Sequence, residues 1–570
     1  MVAVLAIYWA VVLTIRPMEL AYFHRFLSGM AWPFLLFVAF SVWWWLTGLL
    51  SRGQRLIGYV ALLTSPFLAH VLMHPSVNGM QIQMTAFPVA ITALAIWAIF
   101  FARRPNISPV TSIVALGLAF LPFCLIQTFG QNADLRFDLH WRWTPTPEER
   151  FLAERGAIND KDSSADRFAT GATKEPIVAR PGDWTEFRGP QRGGAIGAGP
   201  ITLDWKTRPP KLLWKHAIGP AWSSLIVVDG KLFTQEQRGE HELVVAYDAA
   251  SGRELWTHSD ETRFYEAVSG AGPRATPTFV DGKLYTLGAT GKLNCLDAAD
   301  GRRIWSHDLA KEAAAVVPMW GISSSPLVLD GLAVTFVGGA GHDNLIAYDA
   351  TTGEKRWSAP AGSASYASPQ AIVVDGRTQI AMLNDFGLDA YDPRDGKPLW
   401  HAGGGMQDAP CNLQVHVLDG KRILGGTLTG ISGLGLIEVA HRDDAWNTDE
   451  LWTTSNMNPE FSELVTHEGQ AYGFDGAIFC CIDLENGKRM WKKGRYGRGQ
   501  AVLLSDHALL LILSEKGELA LVAARADRHE ELAKFQAIEG KCWNHPVVAH
   551  GKLFVRNAEE MACYDLNPAP

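Results

Sequence analysis

The first 129 residues contain very little charge. They have no lysine, no aspartate, a single glutamate and six arginines, which gives a net charge of +5. The whole chain of 570 residues carries −8, so subtracting +5 leaves −13 for the residues after 129. An acidic soluble region repels phosphate, which argues against a nucleic-acid-binding protein. The contrast predicts a membrane region followed by an acidic soluble region.

Cysteine is scarce, and its spacing matches no known site. The seven cysteines include no Cys-x-x-Cys pair and no haem-attachment motif, and the chain has no His-Glu-x-x-His helix. A structural zinc, a covalent haem and a zinc protease are therefore unsupported. The adjacent pair Cys480-Cys481 falls in a predicted strand, where neighbouring side chains point to opposite faces. We expect these two thiols to pack in the interior rather than to form a redox-active ring.

Five apolar runs lie in the N-terminal region. A helix needs about 20 apolar residues to cross a membrane; the last four runs reach that length and the first is short. We predict about five transmembrane helices, over Val2–Ile15, Met30–Leu50, Leu56–Met73, Met84–Phe101 and Pro109–Phe129. Four loop arginines lie on the side of the N-terminus and two on the other. Because cytoplasmic loops carry the excess of basic residues, the N-terminus is predicted to be cytoplasmic and everything after residue 130 extracytoplasmic.

The chain after the apolar runs divides into a linker and a folded region. Residues 143–182 are rich in Pro, Ser, Ala, Gly and mixed charge, a composition with little to bury. One short helix is expected near Glu148–Arg155. We therefore predict a transmembrane helical domain over 1–129, a linker over 130–182 and a β domain over 183–570.

A nine-residue repeat decides the fold of the soluble region. Asp-x-x-x-Gly-x-x-x-Trp recurs at Asp248–Trp256, Asp297–Trp305, Asp349–Trp357, Asp392–Trp400 and Asp483–Trp491. Each copy is typical of a hairpin, in which Asp holds the turn and Gly supplies a positive φ. The Trp falls at a fixed point on the next strand, where it can dock against a neighbouring unit.

Degenerate copies bring the number of units to eight. Residues 212–566 then give about 44 residues per unit, the length of a four-stranded propeller blade. The last copy ends at Asp565 without its Trp, and the missing strand lies far upstream at Leu212-Leu213-Trp214. We predict an all-β, eight-bladed propeller in which this N-terminal strand closes the last blade.

The blade geometry predicts where a ligand would bind. The tight Asp-Gly and Asp-x-x-x-Gly turns share one end, the bottom face, and the loops between blades share the other, the top face, where function is expected. Residues in these loops that point toward the central channel are the candidate ligand- or partner-binding residues: Trp222, Arg274, Trp320, Tyr366, Glu460, Gln500, Trp543 and His545. The alternative is that they plug the channel or contact a protein. No catalytic residue and no metal-ligand set can be assigned from the sequence.

The repeat resembles that of the pyrroloquinoline-quinone (PQQ) repeat superfamily over about residues 183–566. This superfamily contains quinoprotein alcohol and sugar dehydrogenases and the non-enzymatic BamB-like proteins of the cell envelope. The stretch Gly272–Pro277 through Tyr285–Gly288 to Cys295–Asp297 looks BamB-like, and Asp183-Trp184 with Phe187–Gly189 resembles a segment found across the superfamily. Apolar helices ahead of an exported propeller resemble a membrane-bound quinoprotein dehydrogenase.

The resemblance implies two functions. The preferred one is a non-enzymatic, membrane-anchored binding or scaffold protein of the bacterial inner membrane, with its propeller in the periplasm and an envelope protein or peptide as partner. The alternative is a dehydrogenase that uses PQQ with calcium to oxidise an alcohol or sugar and reduces membrane quinone. That enzyme would need Trp320 or Trp543 to stack on the cofactor, Arg274 near its oxygens, and Asp385 or Glu460 as base or metal ligand. Blades of about 44 residues leave little room for the long insertions that build the cofactor pocket in such enzymes.

Overall fold

The computed structural model describes residues 1–15, 22–77, 79–101, 110–132, 136–161, 176–313, 317–339, 344–403, 413–426 and 433–567. The chain forms two compact units. Unit 1 holds Met1–Thr146 with Ala267–Gly270, and unit 2 holds Pro147–Glu266 with Ala271–Pro570. The boundary after Thr146 lies inside the predicted linker.

Unit 1 consists of apolar helices and one hairpin. Among the described residues, three helical stretches are long and apolar enough to cross a membrane: Leu27–Leu46, Arg52–Leu72 and Ile82–Phe100. The helices of the unit run over Val2–Ile15, Tyr22–Leu46, Arg52–Leu72, Gly79–Gln81, Phe87–Phe100 and Thr111–Cys124, with a π-helical turn at Ile82–Ala86. The apolar helices Val2–Thr14 and Thr111–Cys124 are shorter, so three spans replace the roughly five expected.

The last apolar helix is shorter than the sequence predicts. It ends at Cys124, and the strand Ile126–Gln131 then pairs antiparallel with Phe137–Trp141. Gln127 and Thr128 are buried here, where the Gln127 side chain donates to the Trp141 carbonyl (3.0 Å). The Thr128 hydroxyl donates to the Gly130 carbonyl (2.7 Å). The Gln127 and Thr128 side chains would lack hydrogen-bond partners on a helix in an apolar environment, whereas the hairpin supplies them. This explains why the helix ends before these residues.

Unit 2 contains the predicted propeller of eight four-stranded antiparallel blades. Blades 1 to 4 comprise Ile226–Val228, Lys231–Arg238, His241–Asp248 and Glu254–Glu261; Thr278–Val280, Lys283–Leu287, Lys292–Asp297 and Arg303–Asp308; Leu327–Leu329, Leu332–Phe336, Leu345–Asp349 and Lys355–Ala359; Gln370–Val374, Arg377–Asn384, Gly387–Tyr391 and Pro398–Ala402. Blades 5 to 8 comprise His416–Val417, Arg422–Gly426, Leu434–Arg442 and Ala445–Thr454; Val465–His467, Gln470–Asp475, Ile478–Asp483 and Arg489–Arg495; Gln500–Leu504, Leu509–Leu513, Glu518–Ala523 and Glu531–Gln536; Val547–Ala549, Lys552–Arg556, Glu560–Asp565 and Lys211–Ala217.

Ring closure follows the sequence prediction. The strand Lys211–Ala217 pairs antiparallel with Glu560–Asp565 and supplies the outer strand of blade 8. Short elements outside the blades are the strands Ala195–Ile196, Tyr265–Glu266 and Gly270–Ala271, the 3-10 turn Pro190–Arg192 and the helix Leu309–Glu312. In six of the eight blades the first-to-second strand turn adopts positive φ at both central residues, as at Asp229 and Gly230 (49° and 73°), because this backbone twist matches that of the flanking strands.

A tryptophan joins most neighbouring blades. Its indole N–H donates across the interface to a carbonyl near the third-to-fourth strand turn of the next blade, as from Trp256 to Ala298 (3.1 Å). The same contact is made by Trp214, Trp305, Trp357, Trp452 and Trp491. The ring lies over the turn glycine, and a Cβ at Gly301 would come 2.4 Å from the Trp256 ring. The repeat therefore pairs a glycine in one blade with a tryptophan in the blade before it.

The helix expected near Glu148–Arg155 runs over Pro147–Lys161 and packs against blade 1. Glu148 pairs with Arg263 through both carboxylate oxygens (2.9 and 2.8 Å). Phe151 is buried, with the Arg238 guanidinium 5.4 Å from its ring centroid. Arg155 pairs with Glu254 at 2.6 Å. These contacts tie the helix to the propeller.

The docking of tryptophan on glycine gives the first testable prediction. Gly301→Ala places a Cβ against Trp256 at a residue with φ of +74°. Left-handed backbone costs a non-glycine residue about 1–2 kcal/mol, and overpacking adds about 1–3 kcal/mol. We expect the apparent Tm of the purified protein to fall, measured by intrinsic fluorescence during heating.

The matched control is Gly331→Ala. Gly331 has nearly the same φ (+77°), but nothing lies within 4 Å of its added Cβ. It carries the backbone strain without the clash, so its loss of Tm should be clearly smaller. Equal losses in the two variants would show that the Trp256 ring does not set the requirement for glycine.

Candidate functional site

The central channel is filled by a segment of the chain itself. This inserted segment, Asp183–Ile196, begins at the bottom face, where the backbones of Trp184 and Val227 exchange two hydrogen bonds (2.9 and 2.8 Å). It ends alongside blade 7, where Ala195–Ile196 pairs parallel with Gln500–Leu504. Between these two points it carries the fully buried side chains of Arg188 and Arg192.

Arg192 binds the top ends of the innermost strands of blades 3 and 4. Its guanidinium donates to the carbonyls of Ser325 (3.1 Å), Pro326 (2.5 Å) and Pro369 (2.7 Å). It also forms an ion pair with Glu186 of the same segment at 2.8 Å. Pro326 and Pro369 each stand just before an innermost strand. The backbone carbonyls at these strand starts accept the hydrogen bonds of the buried Arg192 guanidinium.

Arg188 occupies the opposite side of the channel and shapes the titration of its neighbours. Its guanidinium donates to the Leu464 carbonyl (2.7 Å), and its backbone N–H donates to Nε2 of His545 (3.3 Å). Burial, with a further effect of Arg188, lowers the pKa of His416 and of His545 to about 3. Both imidazoles are therefore neutral at physiological pH. Burial raises the pKa of Glu463 to about 7, although Arg188 opposes the change.

Polar side chains at the start of the innermost strands connect one blade to the next. The backbone N–H of Ser224 donates to the Thr276 hydroxyl (3.0 Å), and that of Thr276 donates to the Ser325 hydroxyl (3.0 Å). On the other side, the Gln414 N–H donates to the Glu463 carboxylate, and the Glu463 N–H to Oε1 of Gln500 (3.2 Å). Gln500 and His545, two of the predicted binding residues, thus lie buried in the wall of the channel.

An aromatic cluster lies on the top face above blades 6, 7, 8 and 1. The rings of Trp222 and Trp543 are 4.8 Å apart between centroids, and Phe461 contacts Trp543 at 5.2 Å. The Lys541 ammonium lies 4.4 Å from the Trp543 ring centroid. All four side chains are partly exposed. We call Trp222, Phe461, Trp543 and Lys541 the aromatic rim.

Charged residues behind the aromatic rim are paired with one another. Arg498 binds the Glu460 carboxylate at 2.5 Å. The Trp543 indole N–H donates to Glu515 (3.1 Å), and the Arg498 backbone N–H donates to the other oxygen of Glu515 (3.5 Å). Glu460 adopts a positive φ of 57°. The predicted residue Glu460 therefore holds the loops under the rim.

The remaining predicted residues form a second group above blades 2 to 4. Trp320 and Tyr366 lie 5.2 Å apart between ring centroids. The nearly buried Arg274 donates to the carbonyls of Ala271 (3.1 Å), Gly272 (2.6 Å) and Trp320 (3.3 Å), and lies over the Phe264 ring. Burial lowers the pKa of Arg274 to about 10. The Arg274 guanidinium therefore donates its hydrogen bonds to the backbone of the top-face loops.

The eight predicted residues therefore lie in three places rather than in one funnel. Trp222, Trp543 and Glu460 belong to the aromatic rim and its support, Arg274, Trp320 and Tyr366 to the second group, and Gln500 and His545 to the channel wall. Sequence reasoning missed Arg188, Arg192, Lys541 and Glu463. Arg188 lies in the stretch Phe187–Gly189 that carried the family resemblance, which was its only signal, whereas Arg192 lies beyond that stretch.

Two other predicted features have structural roles. Asp385 is buried and accepts from the backbone N–H groups of Ser363 (2.8 Å) and Ala364 (3.1 Å). Cys480 and Cys481 are fully buried and pack into different hydrophobic clusters on opposite faces of their strand, as the sequence predicts. Burial raises the pKa of each thiol to about 12, which keeps both protonated and unreactive.

The residues named for a PQQ cofactor do not fit it in this arrangement. A planar polycarboxylate needs an open slot beside an aromatic ring and unengaged donors. Trp320 contacts Tyr366, and Trp543 contacts Trp222. Arg274 binds loop carbonyls, and Glu460 binds Arg498. Within the described part of the chain, no group of three or more His, Cys, Asp or Glu side chains has the geometry of a metal site.

Glu463 provides a test of the channel interior. Its pKa is raised from 4.5 to about 7, so the folded state prefers the protonated acid. The corresponding stability is present below pH 4.5 and is lost as the pH rises to about 7, by about 3 kcal/mol. Glu463→Gln removes this loss. We expect its apparent Tm to exceed that of the wild type at pH 8 and the difference to shrink toward pH 4.5.

The control for this variant is Glu468→Gln in the same blade. The Glu468 side chain is 81% exposed, so its neutralisation should leave the dependence of Tm on pH unchanged. Parallel pH profiles for wild type and Glu463→Gln would contradict the buried, proton-binding state of Glu463.

Comparisons with known proteins find one family match and several similar solved structures. Residues 240–493 match the family model described as outer membrane protein assembly factor BamB. No curated protein matches the chain. Similar solved structures include a quinohemoprotein alcohol dehydrogenase from Comamonas testosteroni (13% identity, 73% of this chain and 85% of that one, TM-score 0.48). Another is BamB from Moraxella catarrhalis (13% identity, 62% of this chain and 99% of that one, TM-score 0.45).

The family match covers the blades that carry the clearest Asp-x-x-x-Gly-x-x-x-Trp repeats, and the eight blades of unit 2 place those repeats at equivalent positions. Apolar helices long enough to span a membrane precede them. The protein thus has an eight-bladed propeller in which residues 240–493 match the BamB family model, and an N-terminal region of apolar helices.

Proposed function

We propose that this protein is a membrane-anchored binding or scaffold protein of the cell envelope, and that its top face holds a protein or peptide partner. The helices of unit 1 anchor it in the bacterial inner membrane with the N-terminus in the cytoplasm and the propeller in the periplasm. The loop arginines support this orientation. One observation carries the proposal: the inserted segment fills the channel, and the aromatic rim remains accessible above it.

The aromatic rim has the composition of a protein-binding surface. Interface anchors are enriched in Trp, Tyr and Arg at positions that lose water on binding. Trp222 and Trp543 contact each other and Phe461 packs against Trp543, so the cluster is ordered before binding and little side-chain entropy is lost. The net charge of −13 after residue 129 favours a neutral or basic partner over an acidic one.

The alternative is a quinoprotein dehydrogenase that oxidises an alcohol or sugar and passes electrons to quinone. Its support is the family of the repeat alone. The side chains required to hold the cofactor would have to leave their present partners, since Arg274 and Glu460 are bound within the loops. We therefore favour partner binding, and a direct titration with PQQ distinguishes this function from that of a dehydrogenase.

Photo-crosslinking tests the partner-binding surface. A photoreactive amino acid replaces Phe461 in the aromatic rim of the full-length protein, and membranes of the producing cells are irradiated. We expect one adduct of defined mass from this position, and its yield should fall at least several-fold when Trp222→Ala is added, because the partner loses an anchor. Equal yields with and without Trp222 would contradict the role of the rim.

Two controls make this experiment specific. The same photoreactive residue at Ser251, an exposed position in a third-to-fourth strand turn of the bottom face, should give no such adduct. Calorimetric titration of PQQ into the full-length protein at saturating calcium, with calcium alone as reference, should show no binding. A micromolar or tighter affinity for PQQ would overturn the scaffold proposal in favour of the dehydrogenase.

A further inference from the structure

Four polar side chains face one another between blades 1 and 2. Glu242 and Asp260 are opposite each other on neighbouring strands of blade 1, and Thr286 and Asn294 are opposite each other on blade 2. The Asn294 side-chain amide donates across the interface to the Asp260 carboxylate at 2.6 Å. We call these four residues the interblade oxygen cluster.

Glu242 points into this interface. Trp256, on the strand of Asp260, donates to blade 2 at Ala298, and residues an even number of positions apart share one face of a strand. Asp260 and the opposite residue Glu242 therefore face blade 2 as well. A Cβ built at Gly288 of blade 2 would come 2.1 Å from Oε2 of Glu242. The absence of a side chain at Gly288 makes room for this carboxylate.

The cluster holds buried oxygens without a side-chain hydrogen-bond donor. Both carboxylate oxygens of Glu242, the hydroxyl of Thr286 and the amide oxygen of Asn294 are buried without a hydrogen bond of normal geometry. The Ala289 backbone N–H lies close enough to the Glu242 carboxylate to lower its pKa. Glu242 is 5% exposed, Asn294 2% and Thr286 0%. Folded proteins rarely leave such groups unsatisfied, and two carboxylates directly opposite each other repel. A cation bound among these oxygens would relieve the repulsion and satisfy the unpartnered groups.

The nearest basic side chains are already committed elsewhere. Arg274 attracts the Glu242 carboxylate, but its guanidinium donates to the Ala271, Gly272 and Trp320 carbonyls. Lys292 pairs with Asp308 at 2.8 Å.

We propose that the interblade oxygen cluster is a calcium-binding site that joins blades 1 and 2. Every donor is a hard oxygen, from two carboxylates, one amide and one hydroxyl, which is the ligand type calcium takes six to eight of. The cluster contains only two carboxylates, and its other two ligands are neutral oxygens, so it differs from a site built of three or more acidic, His or Cys side chains. The partly exposed Asp260 (17% of its side chain) gives the ion and its remaining water ligands a route from solvent.

The donor set selects among metals. Zinc prefers nitrogen and sulfur ligands, whereas all four side chains of the cluster offer oxygen. The His258 imidazole lies 3.8 Å from the Asp260 carboxylate. Magnesium retains several waters and demands a strict octahedron, which suits a buried cluster of side-chain oxygens poorly. This site lies outside the aromatic rim and does not depend on the function proposed for that surface.

Calcium binding to the full-length protein tests the site directly. The purified protein, freed of metal with a chelator, is titrated calorimetrically with calcium and, separately, with magnesium. We expect one site with at least a tenfold preference for calcium and a rise of several degrees in apparent Tm at saturating calcium. Both effects should disappear in Glu242→Gln and Asp260→Asn. Glu463→Gln, which neutralises an equally buried acid in blade 6, should keep them.

Three results would overturn the proposal. The first is the absence of a calcium-binding heat in the folded wild-type protein, which needs no variant to interpret. The second is equal affinity for magnesium. The third is a Glu242→Gln protein that binds calcium as the wild type does, which would place the ion elsewhere. Should Glu242→Gln fail to fold, Thr286→Val removes one oxygen with little change in volume, and it should weaken calcium binding several-fold.

Discussion

The contact on which the propeller depends is a tryptophan ring lying on the glycine turn of the next blade. Trp256 illustrates it: the indole donates to the Ala298 carbonyl at 3.1 Å, and the ring occupies the space that a side chain at Gly301 would need. The contact couples a turn in one blade to a strand in its neighbour, so it sets both the spacing and the order of the blades. It also explains why Gly and Trp recur together in the repeat.

Two interfaces lack this contact and are joined by other means. Trp400 of blade 4 donates to Oε1 of Gln379 in its own blade, because blade 5 has the long hairpin Leu434–Arg442 and Ala445–Thr454 in place of the Asp-x-x-x-Gly turn. Blade 7 has Phe535, which packs against Trp205 and Tyr564. Since Trp205 precedes the strand that completes blade 8, the upstream chain contributes to closure twice.

The repeat allowed the sequence to predict much of this architecture. A turn that needs Asp and Gly at fixed positions is local chemistry, and so the eight blades, the two faces and the closing strand at Leu212–Trp214 followed from spacing alone. The helix lengths of the membrane region were harder to predict, because hydropathy alone does not show that the helix beginning at Thr111 ends at Cys124. Side-chain pairing was beyond reach: Arg498 and Glu460 are 38 residues apart, and nothing in their local sequence marks them as partners.

The inserted segment limits which ligands the top face can bind, because it occupies the central channel. Two buried guanidinium groups are costly to desolvate, and here each is matched by backbone carbonyls at the starts of innermost strands. Arg192 binds blades 3 and 4 and Arg188 binds blade 6, so removing the segment would leave those carbonyls without donors. A ligand that entered the channel would have to displace this chain and replace its hydrogen bonds. A partner that binds the aromatic rim faces no such cost, because the rim lies above the filled channel.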